Sequence, residues 1–517
     1  MSRAQRALLG IGGALLSAAL VVLAFPKWNL FFLAYPALAV LLLAVRGLSN
    51  RRVFLLGWLM GVATNVGGFY WISHTLTEFA FLHPLLGALG VLLNAMYTGL
   101  QYALWAWLTV RLCKSSGLGA VAVGPPVFAV LDLLFPMMFP WYIGNSQYNF
   151  LPAAQVAELC GIIGVSFLVV LVGCGIHDSV ERYRRRAERF WLPAAVALGV
   201  WLVAVLGGWA RMAHIDSQVE HADKLKVGVV QVNINHWDKI NRNKFRANLK
   251  KFLDLSQGLV DSETVDLLLW PETAITFFVD LANMESPVWA RELDKPLMTG
   301  GLSCQGLSCR TWERPHYNSS FLFLPGGKIG GVYHKNYPML FSEYIPFGEQ
   351  MPFVYRWIPH AGNFSRGEFT TAFEIGGWRL GPMICYEDIL PRFGLELVEH
   401  APHVFINQTN DSWFGDSAEP YQHMALSVFR SIEHRRPLVR STNTGISCFI
   451  DPVGRIRKTT NLFSTETLVD EMPKLETLTL YSVLGDWLAF GSMAFCVALV
   501  IRGRRRKRAE RRGKKER

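Results

Sequence analysis

Long apolar runs separated by short polar stretches fill the first 210 residues, and a different rhythm follows them. Runs of roughly 17 residues or more, enough to cross a bilayer core, fall at 7–25, 30–46, 53–72, 85–111, 118–135, 157–176 and 190–209. An eighth lies at 484–501. Gly, Trp and Tyr recur inside them, as expected of packed spans with interfacial anchors. One or two such runs fit buried helices of a soluble protein, but eight together do not. Between 211 and 483 the pattern shortens. Strands are expected at 226–233, 266–272 and 379–385, at 403–407 and over 438–451, with a hairpin pairing 318–324 and 328–335 around Pro325-Gly326-Gly327. Helical spacing marks 244–259 and 420–434. Strands alternating with helices, with hairpins intruding, predict a layered α/β sandwich. The expected organisation is a membrane domain over 1–210 with about seven helices, a globular domain over 211–483, a final span at 484–501 and a tail at 502–517.

Charge sharpens that division. The chain of 517 residues is 51% hydrophobic and 18% charged, with a net charge of +11. Residues 211–484 hold 27 Lys+Arg against 31 Asp+Glu, so the excess lies elsewhere, and 11 basic residues sit in 502–517. A basic tail directly after an apolar span sets orientation rather than nucleic acid binding. One set of loops carries Arg3 and Arg6, then Arg46, Arg51 and Arg52, then Arg111 and Lys114, then five arginines between 182 and 189. The alternate loops, 26–29, 73–84 and 136–156, carry only Lys27. Positive loops stay inside, which puts both termini in the cytoplasm and 211–483 outside. The first run is longer than the apolar core of a signal peptide.

Of eight cysteines, 113, 160, 174 and 496 lie in or beside spans, where a small apolar role is expected. Cys304 and Cys309 share the exported domain, whose compartment permits a disulfide; spacing alone leaves their pairing open. Asn65, Asn94, Gln101 and Asp132 interrupt the spans, in a pattern that favours helix packing over a lipid entrance. Phe277-Phe278-Val279 and 351–358 read as apolar loops suited to an interface or an acyl groove. His400 and His403 read as solvated, and no His/Cys/acid cluster has metal-ligand spacing, so no metal or other cofactor is expected. Neither a phosphate-binding glycine loop nor a Gly-x-Ser-x-Gly elbow occurs.

Three residues close apolar strands: Glu272 after Trp270-Pro271, Lys335 in Tyr333-His334-Lys335, and Cys385 in Ile384-Cys385-Tyr386-Glu387. Singly, each is ordinary, because such acids and lysines are commonly surface charges and a cysteine after Met-Ile is commonly inert core. Together they suffice for acyl transfer. A thiolate attacks a carbonyl, a carboxylate carries protons and an ammonium steadies the oxyanion. A free thiol is only a few per cent ionised at neutral pH, so it needs such neighbours.

Those motifs, with Glu343 eight residues after the lysine and Thr409-Asn410-Asp411-Ser412-Trp413-Phe414-Gly415, resemble the nitrilase (carbon–nitrogen hydrolase) superfamily. With spans on both sides, the chain resembles the apolipoprotein N-acyltransferases of Gram-negative bacteria nearly end to end. Further matching stretches are Phe139–Gln147 and Arg435–Gly445. The resemblance implies an αββα sandwich with catalytic Glu272, Lys335 and Cys385, a supporting Glu343, site-shaping Tyr386 and Glu387, and a substrate-facing Trp237. It also implies an inner-membrane enzyme with a periplasmic catalytic domain. A phospholipid such as phosphatidylethanolamine would be the acyl donor, and the diacylglyceryl-cysteine of an apolipoprotein the acceptor. A monomer is expected. Two departures stand out. Ser342 takes a place that is commonly glycine, and 416–420 lacks the glycine usual before Pro420. Both bear on loop shape more than on the reactive set. A membrane-tethered amidase for small amides is the alternative enzyme. A transporter would need more ionisable residues along its spans.

Overall fold

The computed structural model describes residues 3–283, 287–292, 294–306, 308–311, 315–345, 348, 350, 351, 353 and 362–513. The segment 351–358, apart from Met351 and Phe353, lies outside them. The chain forms two compact units, one from Met1–Ser73, His83–Ala213 and Thr479–Arg517, the other from His74–Leu82 and His214–Leu478.

The first unit is helical. Among the described residues, Gln5–Ala24, Ala157–Arg184, Leu192–His221 and Trp487–Arg506 are each long and apolar enough to cross a membrane. Asn50–Gly68 joins them when taken with Ile72–Glu78, and Phe31–Ala44 and Ala120–Leu134 are apolar but shorter. The run expected over 85–111 is divided at Gly99 into Pro84–Thr98 and Leu100–Ser116. Glycine is needed at that crossing. A Cβ on Gly61 would sit 2.6 Å from the Gly99 Cα, and one on Gly57 would sit 2.9 Å from the Tyr102 carbonyl oxygen. Small residues let the two helix backbones touch, which replaces the hydrophobic drive missing in lipid. One polar pair serves the same end: Gln101 Nε2 donates to Asp132 Oδ1 of another helix at 2.8 Å, whereas Asn65 Nδ2 donates to the Gly61 carbonyl of its own helix at 2.8 Å.

The second unit is built on two sheets. Among the described residues the first contains β1 (Lys224–Gln231), β2 (Leu267–Leu269), β3 (Ile275–Asp280), β4 (Leu297–Cys304), β5 (His316–Phe323), β6 (Ile329–His334) and β13 (Glu466–Pro473). Its order is β13-β1-β2-β4-β5-β6, with β3 also on β4. The second sheet contains β7 (Phe373–Ile375), β8 (Trp378–Ile384), β9 (Val404–Thr409), β10 (Leu438–Thr442), β11 (Cys448–Ile450) and β12 (Ile456–Thr459), in the order β12-β11-β10-β9-β8-β7. Each sheet has a parallel centre, β1/β2/β4 and β8/β9/β10, flanked by antiparallel strands.

Parallel strands buried on both faces need unbroken apolar runs, and Val227, Val229 and Val230 of β1 are all buried. Helix Phe245–Ser262 places Phe252, Ser256 and Leu259 inward against the first sheet and leaves Lys250 and Lys251 exposed. Trp270 completes that core, its indole N–H donating to Ser256 Oγ at 2.9 Å. Pro391–Val398 and Glu419–His434 lie on the second sheet, and the inner faces of the two sheets meet, which gives αββα layers. The inner seam is polar. Gln231 Oε1 accepts hydrogen bonds from Thr442 Oγ1, Ser447 Oγ and Thr460 Oγ1 at 3.0, 2.6 and 2.9 Å.

Several expectations change. Phe277-Phe278-Val279 is part of strand β3, not a loop, because β4 pairs it edgewise; Phe277 is half-exposed and Val279 buried. The expected strand over 438–451 is two strands, β10 and β11, joined by a turn. His403 is buried, not solvated: it lies just before β9, and its Nδ1 accepts from the Arg379 N–H at 3.0 Å. Cys304 and Cys309 are joined in a disulfide.

Candidate active site

Glu272, Lys335 and Cys385 come from the ends of β2, β6 and β8, two from the first sheet and one from the second, and all three are buried. β2 and β8 belong to the parallel centres, whose C-terminal ends let side chains converge without breaking a ladder, and Lys335 joins them from the antiparallel edge strand β6. Lys335 Nζ lies 2.7 Å from Glu343 Oε2 and 3.6 Å from Glu272 Oε1. Asn318 Nδ2, on the neighbouring strand β5, donates to both carboxylates, at 2.7 Å to Glu272 and 2.9 Å to Glu343. The Met339 N–H fixes Glu343 Oε2 at 2.7 Å. Two acids therefore hold one ammonium, and one amide holds the two acids.

Burial pushes the Glu272 carboxyl up, with the Lys335 charge opposing and the Glu343 charge assisting. A raised carboxyl is a better proton acceptor for a thiol. Burial alone would discharge Lys335, but Glu343 and Glu272 raise it well above the ordinary lysine range, so it stays cationic. Burial also drives the Cys385 thiol well above its usual value, aided by Glu272 and opposed by Lys335. The resting site therefore holds a neutral thiol beside a basic carboxylate.

Backbone strain converges on the same place. Cys385 has φ +51° and Thr273, next to Glu272, has φ +47°. A non-glycine residue in the left-handed region costs of order 1–3 kcal/mol and persists where surroundings over-determine it. The Asn407 amide donates to the Cys385 carbonyl at 3.1 Å. Glu387 supplies the strongest clamp. Its Oε1 accepts from Tyr333 Oη (2.8 Å) and from the N–H groups of Asn336 and Tyr337 (2.7 and 3.1 Å), and its Oε2 from the Ile384 N–H (2.8 Å). One carboxylate thus ties the strand end before Cys385 to the turn after Lys335. Burial, partly offset by those donors, raises it to about 7. Tyr386 follows the thiol, and burial raises its phenol above the ordinary range.

Trp237 sits in a short helix, His236–Ile240, with its side chain 48% exposed. It borders a cavity of about 400 Å³ lined also by His74, Glu78, Phe79, Asn233 and Phe463. Its ring lies 6.3 Å from Phe79 and 5.6 Å from Phe81.

Sequence reasoning missed two groups. The first is Lys239, buried two residues beyond Trp237, with Nζ donating to the Glu272 carbonyl at 2.8 Å. The second is a charge cluster behind Cys385. His423 bridges Asp388 (Nε2, 2.9 Å) and Asp411 (Nδ1, 3.1 Å), and Arg440 pairs with Asp388 and lies 3.7 Å from Asp411. Burial would discharge His423, but the two aspartates raise it to about 10. Its members come from four separate segments, so no local spacing announces it.

Known proteins match the chain along most of its length. A family model described as apolipoprotein N-acyltransferase N-terminal domain matches residues 17–175, and one described as carbon-nitrogen hydrolase matches 226–478. A relative from Geobacter metallireducens named apolipoprotein N-acyltransferase is 33% identical over 505 residues, 95% of each chain. Another of that name from Bdellovibrio bacteriovorus is 30% identical over 512 residues, covering 93% of this chain and 92% of its own. The crystal structure of a carbon-nitrogen hydrolase from Helicobacter pylori is similar over 48% of this chain and 89% of its own, with a TM-score of 0.35 at 14% identity.

Proposed function

The chain belongs to the apolipoprotein N-acyltransferase family, and on that premise we propose that Glu272, Lys335 and Cys385 carry out a two-step acyl transfer between membrane lipids. The enzyme N-acylates lipoproteins in a membrane; a lipid is the donor and a lipoprotein the acceptor. The end-to-end match, spans included, disfavours a tethered amidase for small amides.

Glu272 takes the Cys385 proton, and the thiolate attacks the sn-1 ester carbonyl of phosphatidylethanolamine. Lys335 steadies the oxyanion. Collapse expels the lysophospholipid alkoxide, which takes the proton from Glu272 and leaves a Cys385 thioester. The α-amino group of a diacylglyceryl-cysteine then attacks, giving up a proton to Glu272. The amide forms, and the departing thiolate regains that proton. Glu343 holds Lys335, Glu387 fixes the thiol against the ammonium, and Tyr386 shapes the wall beside them. Trp237 contacts lipid at its cavity. The catalytic domain over 211–483 faces the periplasm of a bacterial inner membrane, with both termini cytoplasmic, and the chain works as a monomer.

The observation that carries this reading is one buried ammonium held between two carboxylates, the Glu272 one buried as well, with a strained cysteine on the facing sheet. The test is the mass of detergent-solubilised protein after incubation with phosphatidylethanolamine, beside Cys385→Ala. An acyl adduct on the wild type alone, discharged by a diacylglyceryl peptide, is expected. An adduct on both proteins would remove Cys385 from its role.

A further inference from the structure

Lys239 inverts the usual pattern of its helix. On His236–Ile240 the apolar residues Trp237 and Ile240 are 48% and 56% exposed, while the lysine between them is buried. The segment is held from several sides. The Asn235 side chain accepts from the Trp237 N–H at 2.9 Å, and Asn248 Nδ2 donates to the Asp238 carbonyl at 3.0 Å. Asn443 exchanges two hydrogen bonds with Ile234, at 3.0 and 2.8 Å. The inward course of the Lys239 stem is therefore set by the fold and is not one rotamer of a surface residue.

Burying an ammonium is strongly unfavourable unless opposite charge compensates it. Its hydrogen-bond partner is a carbonyl, at Glu272, so compensation has to come through space. Glu272 and Cys385 both act on it in that direction. Around the thiol stand the Glu272 and Glu343 carboxylates and the Lys335 and Lys239 ammonium groups, whose charges cancel, with Glu387, raised to about 7 by burial, held apart by its own four donors. Moving a proton from Cys385 to Glu272 leaves that balance unchanged. Without Lys239 the same pocket carries an extra negative charge, which opposes a thiolate.

We infer that Lys239 is the charge-balancing and positioning member of the acyl-transfer site, tethering the Glu272 backbone and lowering the cost of forming the Cys385 thiolate. This rests on the assignment of Glu272, Lys335 and Cys385 above. Burial lowers the Lys239 amine to about 8, with Glu272 and Cys385 opposing, so it is charged at neutral pH. Its helix neighbour His236, lowered to about 4 by burial and by Lys239, is neutral there. Behind Cys385, the Asp388, Asp411, His423 and Arg440 charges cancel among themselves, and burial pushes the carboxyl of Glu419, 3.7 Å from His423, well up toward its neutral form, so this cluster does not substitute for the missing cation.

The experiment is the pH dependence of Cys385 alkylation by iodoacetamide in the full-length protein in detergent micelles, with the adduct located by peptide mass. A neighbouring opposite charge shifts a titration by about one unit or more, and Cys385 is among the groups that act on Lys239. Lys239→Gln, which keeps a donor for the Glu272 carbonyl, should therefore slow alkylation about tenfold at pH 7, where Lys239 is charged, with the two profiles converging as pH rises past the Lys239 titration. Lys239→Arg should recover most of that loss. A Lys239→Gln profile superimposed on wild type, or a Lys239→Arg profile as displaced as that of Lys239→Gln, overturns the inference. If the Gln variant does not melt cooperatively, Lys239→Met is read by the same criteria. Glu272→Gln runs in parallel. If it shifts the profile while Lys239→Gln does not, only the Lys239 role fails; if neither shifts it, the underlying assignment fails too.

Discussion

Four donors on one carboxylate make Glu387 the residue whose loss should be felt most widely outside the reacting set. Glu387→Ala would strand the Tyr333 hydroxyl and the N–H groups of Asn336, Tyr337 and Ile384 in the interior. Each unsatisfied buried donor costs about 1–3 kcal/mol, and such costs are not additive, so a total of about 3 kcal/mol or more is expected. Acyl-adduct formation should fall by about a hundredfold or more with it, since placement errors of an ångström cost that much. Glu387→Gln keeps the oxygen that takes three of the donors and should lie between; melting and adduct rate report both. Glu343→Gln makes a different demand. The Glu343 charge helps raise the Glu272 carboxyl, so removing it lowers Glu272 and makes it a weaker base. Activity needs Glu272 ionised and is lost as pH falls through its titration. The acid limb of the rate profile should therefore move to lower pH, while the plateau drops about tenfold or more. An unmoved limb would mean that Glu272 is not the proton acceptor.

At the scale of elements, the strands bearing Glu272, Lys335 and Cys385 were legible because each motif is local: an apolar run ends at a polar residue in the chain order the superfamily shares. Strand β4 was not legible, because Gly300 and Gly301 break its apolar run and Pro296 precedes it. Those glycines have a reason in packing. A Cβ on Gly300 would stand 2.6 Å from both the Glu272 Cα and the Thr273 nitrogen, where backbone cannot yield as a side chain would. Gly300→Ala should cost about 1–3 kcal/mol, as overpacked cores do. It should also lower adduct formation by more than the folded fraction accounts for, because it pushes on the turn that aims Glu272. Equal losses of fold and rate would make Gly300 purely structural. Lys239 was illegible for the opposite reason. Its motif, one lysine in a short polar segment, reads as surface, and only the tie between the Glu272 carbonyl and its Nζ reveals it. Phe277 misled because an apolar triplet with little charge fits a loop as well as an edge strand; β4 decides the matter.

For the molecule as a whole, hydropathy and loop charge make two separate predictions, one of helix bounds and one of orientation. The expected run over 85–111 divides at Gly99, yet the imbalance of arginines between alternate loops is untouched by that division. Two independent features of the chain speak to the same question. Disulfides persist in oxidising compartments, and the globular unit carries the Cys304–Cys309 pair. Single added cysteines would test the proposed arrangement. Lys250→Cys lies on the exposed face of helix Phe245–Ser262, and Arg505→Cys on the exposed end of the last helix. With the outer membrane permeabilised and the inner membrane intact, a charged maleimide should label Lys250→Cys at once. It should label Arg505→Cys only after lysis, with the unsubstituted chain as blank. The Cys304–Cys309 peptide from the same cells, trapped by acid before alkylation, should be recovered as a linked pair. Reversed labelling with that pair reduced would put the thioester on the cytoplasmic side and end the periplasmic assignment, while leaving the chemistry at Cys385 as argued.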